Sequence, residues 1–325
     1  MSTSARPILG LPLWRRALGE YAGLLLALGL LIAVFGLATR HFLSADNFRI
    51  IASQIPSAML VATGMTYVLI LGQIDLSVGS VLALAGAILG VALTRWGWPL
   101  WAGLAGALAA GGVCGVFNGA VSIRWRLPTF IVTLGMLEIA RGAAHAVTRS
   151  QTQYLGSAVE RIAAGQVYGL SLPFLLALVM IVLGQLLLTR TVFGRYVVAI
   201  GTNDEAVRLG GIDPRPVKLA VFTGTGVLVA IAAIIDTSRF QSANPNAGLG
   251  LELQVIAAAV IGGTSLMGGR GSVISTFFGV LIIAVLNSGL AAVGVKDEIK
   301  RLITGAVIIA AVIVDVYRQR ATRAR

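Results

Sequence analysis

Tyr21–Ala38 reads YAGLLLALGLLIAVFGLA, with no charged residue in 18 positions. A helix rises 1.5 Å per residue, so about 20 such residues cross the hydrocarbon core of a bilayer. Nine further runs of this kind follow, at Ile50–Leu71, Val78–Thr94, Leu100–Ile123, Phe130–Val147, Leu170–Leu188, Leu219–Ile235, Leu251–Met267, Val273–Val293 and Leu302–Tyr317. They predict an all-α, polytopic integral membrane protein of about ten transmembrane helices. The eighth run is the weakest: Glu252, Gln254 and Gly262-Gly263-Thr264-Ser265 shorten its apolar stretch, so a broken or re-entrant segment is expected there.

Composition agrees. Of 325 residues 57% are hydrophobic and 12% charged, with a mean hydropathy of +0.90, whereas soluble domains carry about 25% charge. That apolar excess cannot be coated by polar surface, which excludes a soluble enzyme. The 40 glycines follow no three-residue period and fit closely packed membrane helices. The net charge of +12 would suggest nucleic acid in a soluble chain, but no basic patch here is interleaved with stacking aromatics, so no nucleic-acid partner is expected. Cys114 is the single cysteine, which excludes an internal disulfide and a cysteine-based metal site.

The basic residues sort the connections. Arg6, Arg15, Arg16, Arg124, Arg126, Arg190, Arg195, Arg208, Arg215, Lys218, Arg270, Arg318, Arg320, Arg323 and Arg325 fall on one side of a ten-span arrangement, fifteen against nine on the other. Positive charge stays inside, so both termini are expected in the cytoplasm. The first run is longer than a signal-peptide core and nine others follow it, so an uncleaved helix is expected. The organisation is then a cytoplasmic segment at 1–20, a transmembrane unit at 21–317 with a cytoplasmic connection at about 189–218, and a basic tail at 318–325.

That connection holds a helix signal of its own. Thr202-Asn203-Asp204-Glu205 reads as a capping box, with Thr202 accepting from the backbone of Glu205. Ala206, Val207 and Leu209 give a short apolar face, and Gly210-Gly211 stop the helix, with Pro214 beyond. About two turns are marginal in water, so the segment needs a surface to pack on, either the chain's own spans or a cytoplasmic partner.

Four stretches, in order, carry a resemblance. These are Gly72-Gln-Ile-Asp-Leu-Ser-Val-Gly-Ser80, Leu127-Pro-Thr-Phe-Ile-Val-Thr-Leu-Gly-Met136, Gly194-Arg195 through Ala199-Ile200-Gly201 to Asn203, Ala206 and Gly211-Ile212, and Ala257-Ala-Ala-Val-Ile-Gly-Gly-Thr-Ser-Leu266 on to Gly269 and Gly271-Ser272. From about Phe42 to Tyr317 the chain resembles the permease subunit of bacterial ABC importers of the ribose/xylose/galactose class. The resemblance implies a multi-pass inner-membrane subunit, not itself an enzyme, that works with an ATP-binding cassette subunit, a periplasmic sugar-binding protein and a second permease copy. It implies that Glu205, Ala206, Val207 and Gly211 belong to a loop docking into the ATPase, with Val207 in place of the family's second alanine. Gln73 replaces a usual glycine.

Fuel must come from elsewhere. Gly268-Gly269-Arg270-Gly271-Ser272 has no Gly-Lys-Ser/Thr ending and no preceding strand, so it is no phosphate loop, and Mg-ATP is expected on the partner with no cofactor in this chain. Asp75 and Ser77 either cap the third helix or belong to a gating re-entrant segment. Glu138, Arg141 and His145 share a face of the fifth span, as a neutralising ion pair, a pathway lining or a proton relay. Two histidines in different segments make no metal site. A neutral sugar needs uncharged hydrogen-bonding groups and flat apolar faces, so Gln54, Thr63, Thr66, Asn118, Phe130, Thr133, Asn287 and Ser288 are candidate pathway residues. The competing function is a self-contained proton- or sodium-coupled transporter in which Glu138 or Asp236 titrates.

Overall fold

The computed structural model describes residues 13–167, 169–296, 298–307, 309, 310 and 313. Among the described residues, seven helices are long and apolar enough to cross a membrane: α1 (Leu13–Ala38), whose membrane stretch is Tyr21–Ala38, α2 (Ala45–Ile70), α4 (Leu100–Trp125), α5 (Thr129–Thr148), α7 (Leu172–Arg190), α10 (Arg215–Phe240) and α12 (Val273–Ala292). Three apolar helices are shorter: α3 (Val78–Thr94), α8 (Val192–Thr202) and α11 (Leu251–Ile261). The connections add α6 (Ser157–Ala164), α9 (Asp204–Leu209) and four two-residue strands, β1 (Gln153–Tyr154), β2 (Gln166–Val167), β3 (Leu170–Ser171) and β4 (Ser242–Ala243). The chain is thus a helical, polytopic membrane protein, with two short ladders, β1 against β4 and β2 against β3.

Three expectations change in detail. The eighth run is helical only to Ile261, because Gly262 and Gly263, the latter at φ +86°, end the helix and the chain continues without helix to Ser272. The connection expected at 189–218 is largely helical: α7 runs on to Arg190, and α8 fills much of the rest. The tenth run lies partly outside the described residues, which are helical at 298–307.

Two 26-residue helices, α2 and α10, organise the bundle, and each leads into a break. After α2 the chain runs without helix through 71–77 and starts α3 at Val78. Ser77 is level with Asn118, seven residues before the end of α4, so α3 begins about 10 Å inside the bundle. After α10 the chain pairs briefly as β4, then returns along α3: Ala243 lies against Gly90 and Gly248 against Gly79, about 16 Å of helix apart. Only then does α11 begin, and it runs toward the end of the bundle where α2 stops. The second half therefore repeats the first in the opposite direction, and the N-termini of α3 and α11 meet inside the bundle. Glycines permit the crossing: a Cβ on Gly79 would collide with the Gly248 carbonyl and the Glu252 carboxylate. The same device joins α4 to α10, where Gly111 faces Gly226 and Gly115 faces the Phe222 carbonyl, so the backbones approach as closely as small residues allow.

Candidate functional site

The first break is tied on every side. Asp75 is buried, and its Oδ1 accepts from the Ser77 backbone N–H at 2.8 Å and from the Ser77 hydroxyl at 2.6 Å. Asn118 on α4 donates to Ser77 Oγ at 2.9 Å. From α5, Thr133 accepts from the Leu76 N–H at 3.1 Å and Thr129 from the Ile74 N–H at 3.3 Å. The carboxylate is thus spent on the backbone and hydroxyl at the start of α3, which a helix N-terminus favours. Ser77 is the N-cap residue of α3 but forms no side-chain cap bond, and Asp75 bonds the Ser77 N–H and hydroxyl, not an N–H of the first helical turn.

The second break is held differently. Arg141 on α5 donates to the carbonyls of Pro245 at 2.7 Å and Ala247 at 2.8 Å. The expected Glu138–Arg141 ion pair is not formed: no pair within 4 Å joins them among the described residues, and Glu138 lies exposed on α5. The reason is that backbone carbonyls, released by the non-helical segment, offer one guanidinium nitrogen, Nη1, two acceptors, while Nε is left buried without a partner. Glu252, in the first turn of α11, is packed against Gly79 at the start of α3. In the sequence Glu252 reads only as an interruption of an apolar run, and its position two residues after the Gly248–Leu249–Gly250 turn is the available signal.

At the opposite end of these helices lies α9. Its N-cap is Asn203, whose Oδ1 accepts from the Ala206 N–H at 2.9 Å; Thr202 instead closes α8, donating to the Val198 carbonyl at 2.8 Å. The cap moves one residue because α8 does not end until Thr202. Asp204 takes Lys218 Nζ at 3.1 Å and Arg208 at 3.2 Å, fastening α9 to the start of α10. Val207 packs partly inward against the core, whereas Glu205 and Ala206 are exposed and Leu209 is 85% exposed. Gly211 stops the helix at φ +82°. Beside it, the 262–272 loop reaches the same end: the Gly269 N–H donates to the Ile70 carbonyl at 2.8 Å, Gly269 packs on Thr202, and Met267 is 76% exposed.

Across residues 47–312 the chain matches the sequence profile of a family described as the branched-chain amino acid transport system / permease component. It belongs to this permease family. Individual relatives include the ribose import permease protein of Haemophilus influenzae, 36% identical over 297 residues, covering 90% of this chain and 92% of the relative. The D-allose transport system permease protein of Escherichia coli strain K12 is 34% identical, covering 90% of each. The L-arabinose ABC transporter permease protein of Azospirillum brasilense is 33% identical, covering 93% of this chain and 89% of the relative. No solved structure matches. As a permease component of this family the chain is a multi-pass inner-membrane transport subunit and not an enzyme.

The permease's sequence-predicted pathway residues do not converge on one place. Gln54 and Asn287 meet, with Gln254, around a cavity of about 150 Å³ between α2, α11 and α12. Thr63 bonds back to the Met59 carbonyl and lines an apolar groove of about 570 Å³. Asn118 and Thr133 hold the first break, Thr66 bonds to Thr276, Ser288 to Asn47, and Phe130 is 49% exposed on the outside of α5.

Proposed function

We propose that the chain is the permease subunit of an ATP-driven ABC importer that moves a small neutral solute, a monosaccharide, across the bacterial inner membrane by alternating access. The observation that carries this reading is α9. It is six residues long, capped and pinned by Asp204, yet it turns Glu205, Ala206 and Leu209 outward. A helix of that length is marginal in water, and an apolar side chain left so exposed, with Met267 also exposed on the loop that packs against Thr202, fits a protein partner, the ATP-binding cassette subunit. Because Val207 faces inward, its departure from alanine is absorbed by the permease and leaves the docking face unaltered.

The same end supplies a mechanical route. Movement of α8 and α9 acts on the 262–272 loop through Thr202 and Gly269, and that loop continues α11, whose other end lies at the crossing. A second copy is supported by α5, where exposed Glu138 sits midway along the span between Gly135 and Gly142, both facing open space. A carboxylate at that depth is costly against lipid, roughly 2.5 to 3.5 kcal/mol, and is relieved by a second permease or a watery pathway. The sugar assignment draws on relatives named for ribose, arabinose and allose, and an external binding protein delivers the solute.

Reconstituted vesicles test this. Uptake of labelled ribose, xylose or galactose is expected only when the ATP-binding subunit, the binding protein and ATP are all present, and is expected to survive an uncoupler. Uptake by this chain alone, abolished by the uncoupler, would establish a secondary transporter instead.

A further inference from the structure

A cavity of about 310 Å³ opens at the end of the bundle opposite α9, between α3, α10 and the returning segment at 242–248. Its chemistry differs from that of two other spaces, and unlike the cavity at Gln54, Gln254 and Asn287 it holds a carboxylate and an aromatic ring. The groove at Thr63 and Tyr67 is almost wholly apolar, and the space beneath α9 is lined by Arg126, Arg208, Arg215 and Lys218. Here the lining combines Asp236, Ser242, Asn244 and Asn246 with the ring of Phe240.

Each polar group has bonding capacity left. Asp236 Oδ1 accepts from the Ser57 hydroxyl at 2.7 Å and lies 4.0 Å from Arg239 Nε, and its Oδ2 takes no hydrogen bond among the described residues. Asn244 Oδ1 accepts from the Asn246 N–H at 2.8 Å, which leaves its NH₂ group open. The Asn246 side chain is exposed and makes no hydrogen bond among the described residues. Phe240 is 62% exposed, with the Arg239 guanidinium over its ring at 4.2 Å. The floor is the Gly79–Gly248 crossing, where backbone meets backbone.

We propose that this vestibule is a monosaccharide-binding site, in which Asp236, Asn244 and Asn246 bond the ring hydroxyls and Phe240 covers an apolar face of the sugar. Vicinal hydroxyls each donate and accept, so they pair with a carboxylate oxygen and with amides that offer both functions. A few convergent polar groups over an aromatic wall, in a concave space, are the usual composition of such sites. The vestibule is where solute released by an external protein first enters the permease, and the crossing below holds it there until the second break moves. The inference rests on the import reading above.

The test uses Asn246→Cys in a Cys114→Ser background, with the ATP-binding subunit bound and Trp98→Cys as a control at the same end but outside the cavity. Labelling of Cys at position 246 by a bulky, membrane-impermeant thiol reagent is followed in 100 mM ribose, xylose, galactose or leucine. At least a threefold slowing by one of the sugars, none by leucine, and no protection at position 98 are expected. Ser242→Cys gives the same readout should the first variant not fold. Wild-type uptake is measured in parallel. Sugar import by wild type without protection at either position overturns the vestibule assignment alone, whereas failure of wild type to import any of the sugars overturns the import reading on which it rests.

Discussion

Residues 71–77 and 241–250 follow equivalent 26-residue helices, yet one break is buried in side-chain hydrogen bonds and the other, more exposed, is held by the two-residue β1–β4 ladder, the Leu155 N–H on the Gln241 carbonyl and one guanidinium. In the first, Asp75, Ser77, Asn118, Thr129 and Thr133 tie the segment to two neighbouring helices, although Gln73 Oε1 and Asn118 Oδ1 are buried without a partner. In the second, Arg141 holds two carbonyls, and Asn244 and Asn246 face an open cavity. Local opening is easiest where few buried contacts oppose it. We therefore expect the first break to act as the anchor of the bundle and the second, which is the more exposed, as its movable element, positioned at the far end of the route from α9.

The largest effect should come from the point the two breaks share. In Gly79→Val the added side chain would meet the Gly248 carbonyl and Glu252, an overpacking cost of about 3 kcal/mol or more. Size-exclusion of the detergent-extracted protein should show loss of the monodisperse species. A normal profile would mean that α3 and α11 do not cross there.

The next prediction separates the breaks. Thr133→Val removes an acceptor from Leu76 and a tie from α5 to the anchor, for about 1 to 3 kcal/mol. It should lower the thermal midpoint by several degrees while leaving coupled uptake in the folded fraction within twofold. Arg141→Met should do the reverse, cutting uptake at least tenfold with the smaller loss of thermal stability. Equal effects on both readouts would erase the distinction between anchor and movable element.

Much of this architecture is legible in the sequence, for identifiable reasons. Val78–Thr94 has both of its ends where the apolar run begins and stops, since Ser77 and Arg95 bound it. The weakness of the eighth run announces a break, because Gly262-Gly263 is followed by polar Thr264-Ser265 and more glycines, whereas Gly111-Gly112, flanked by apolar residues, stays inside α4. What the sequence hides are partners that carry no letter of their own. Arg141 pairs with carbonyls, which every residue possesses, so the charged neighbour Glu138 is the natural but wrong choice. Thr202 and Asn203 are both good caps, and only the length of α8 decides between them. The vestibule joins residues of α3, α10 and the returning segment, and nothing local in 242–248 signals that it folds back along α3.

Hydrogen–deuterium exchange on the assembled complex, with and without a non-hydrolysable ATP analogue, tests the division between anchor and movable element most directly. Amides at 244–250 should change their exchange rate at least tenfold on nucleotide binding, while those at 71–77 stay within twofold. A change at 71–77 equal to or greater than that at 244–250 would contradict it.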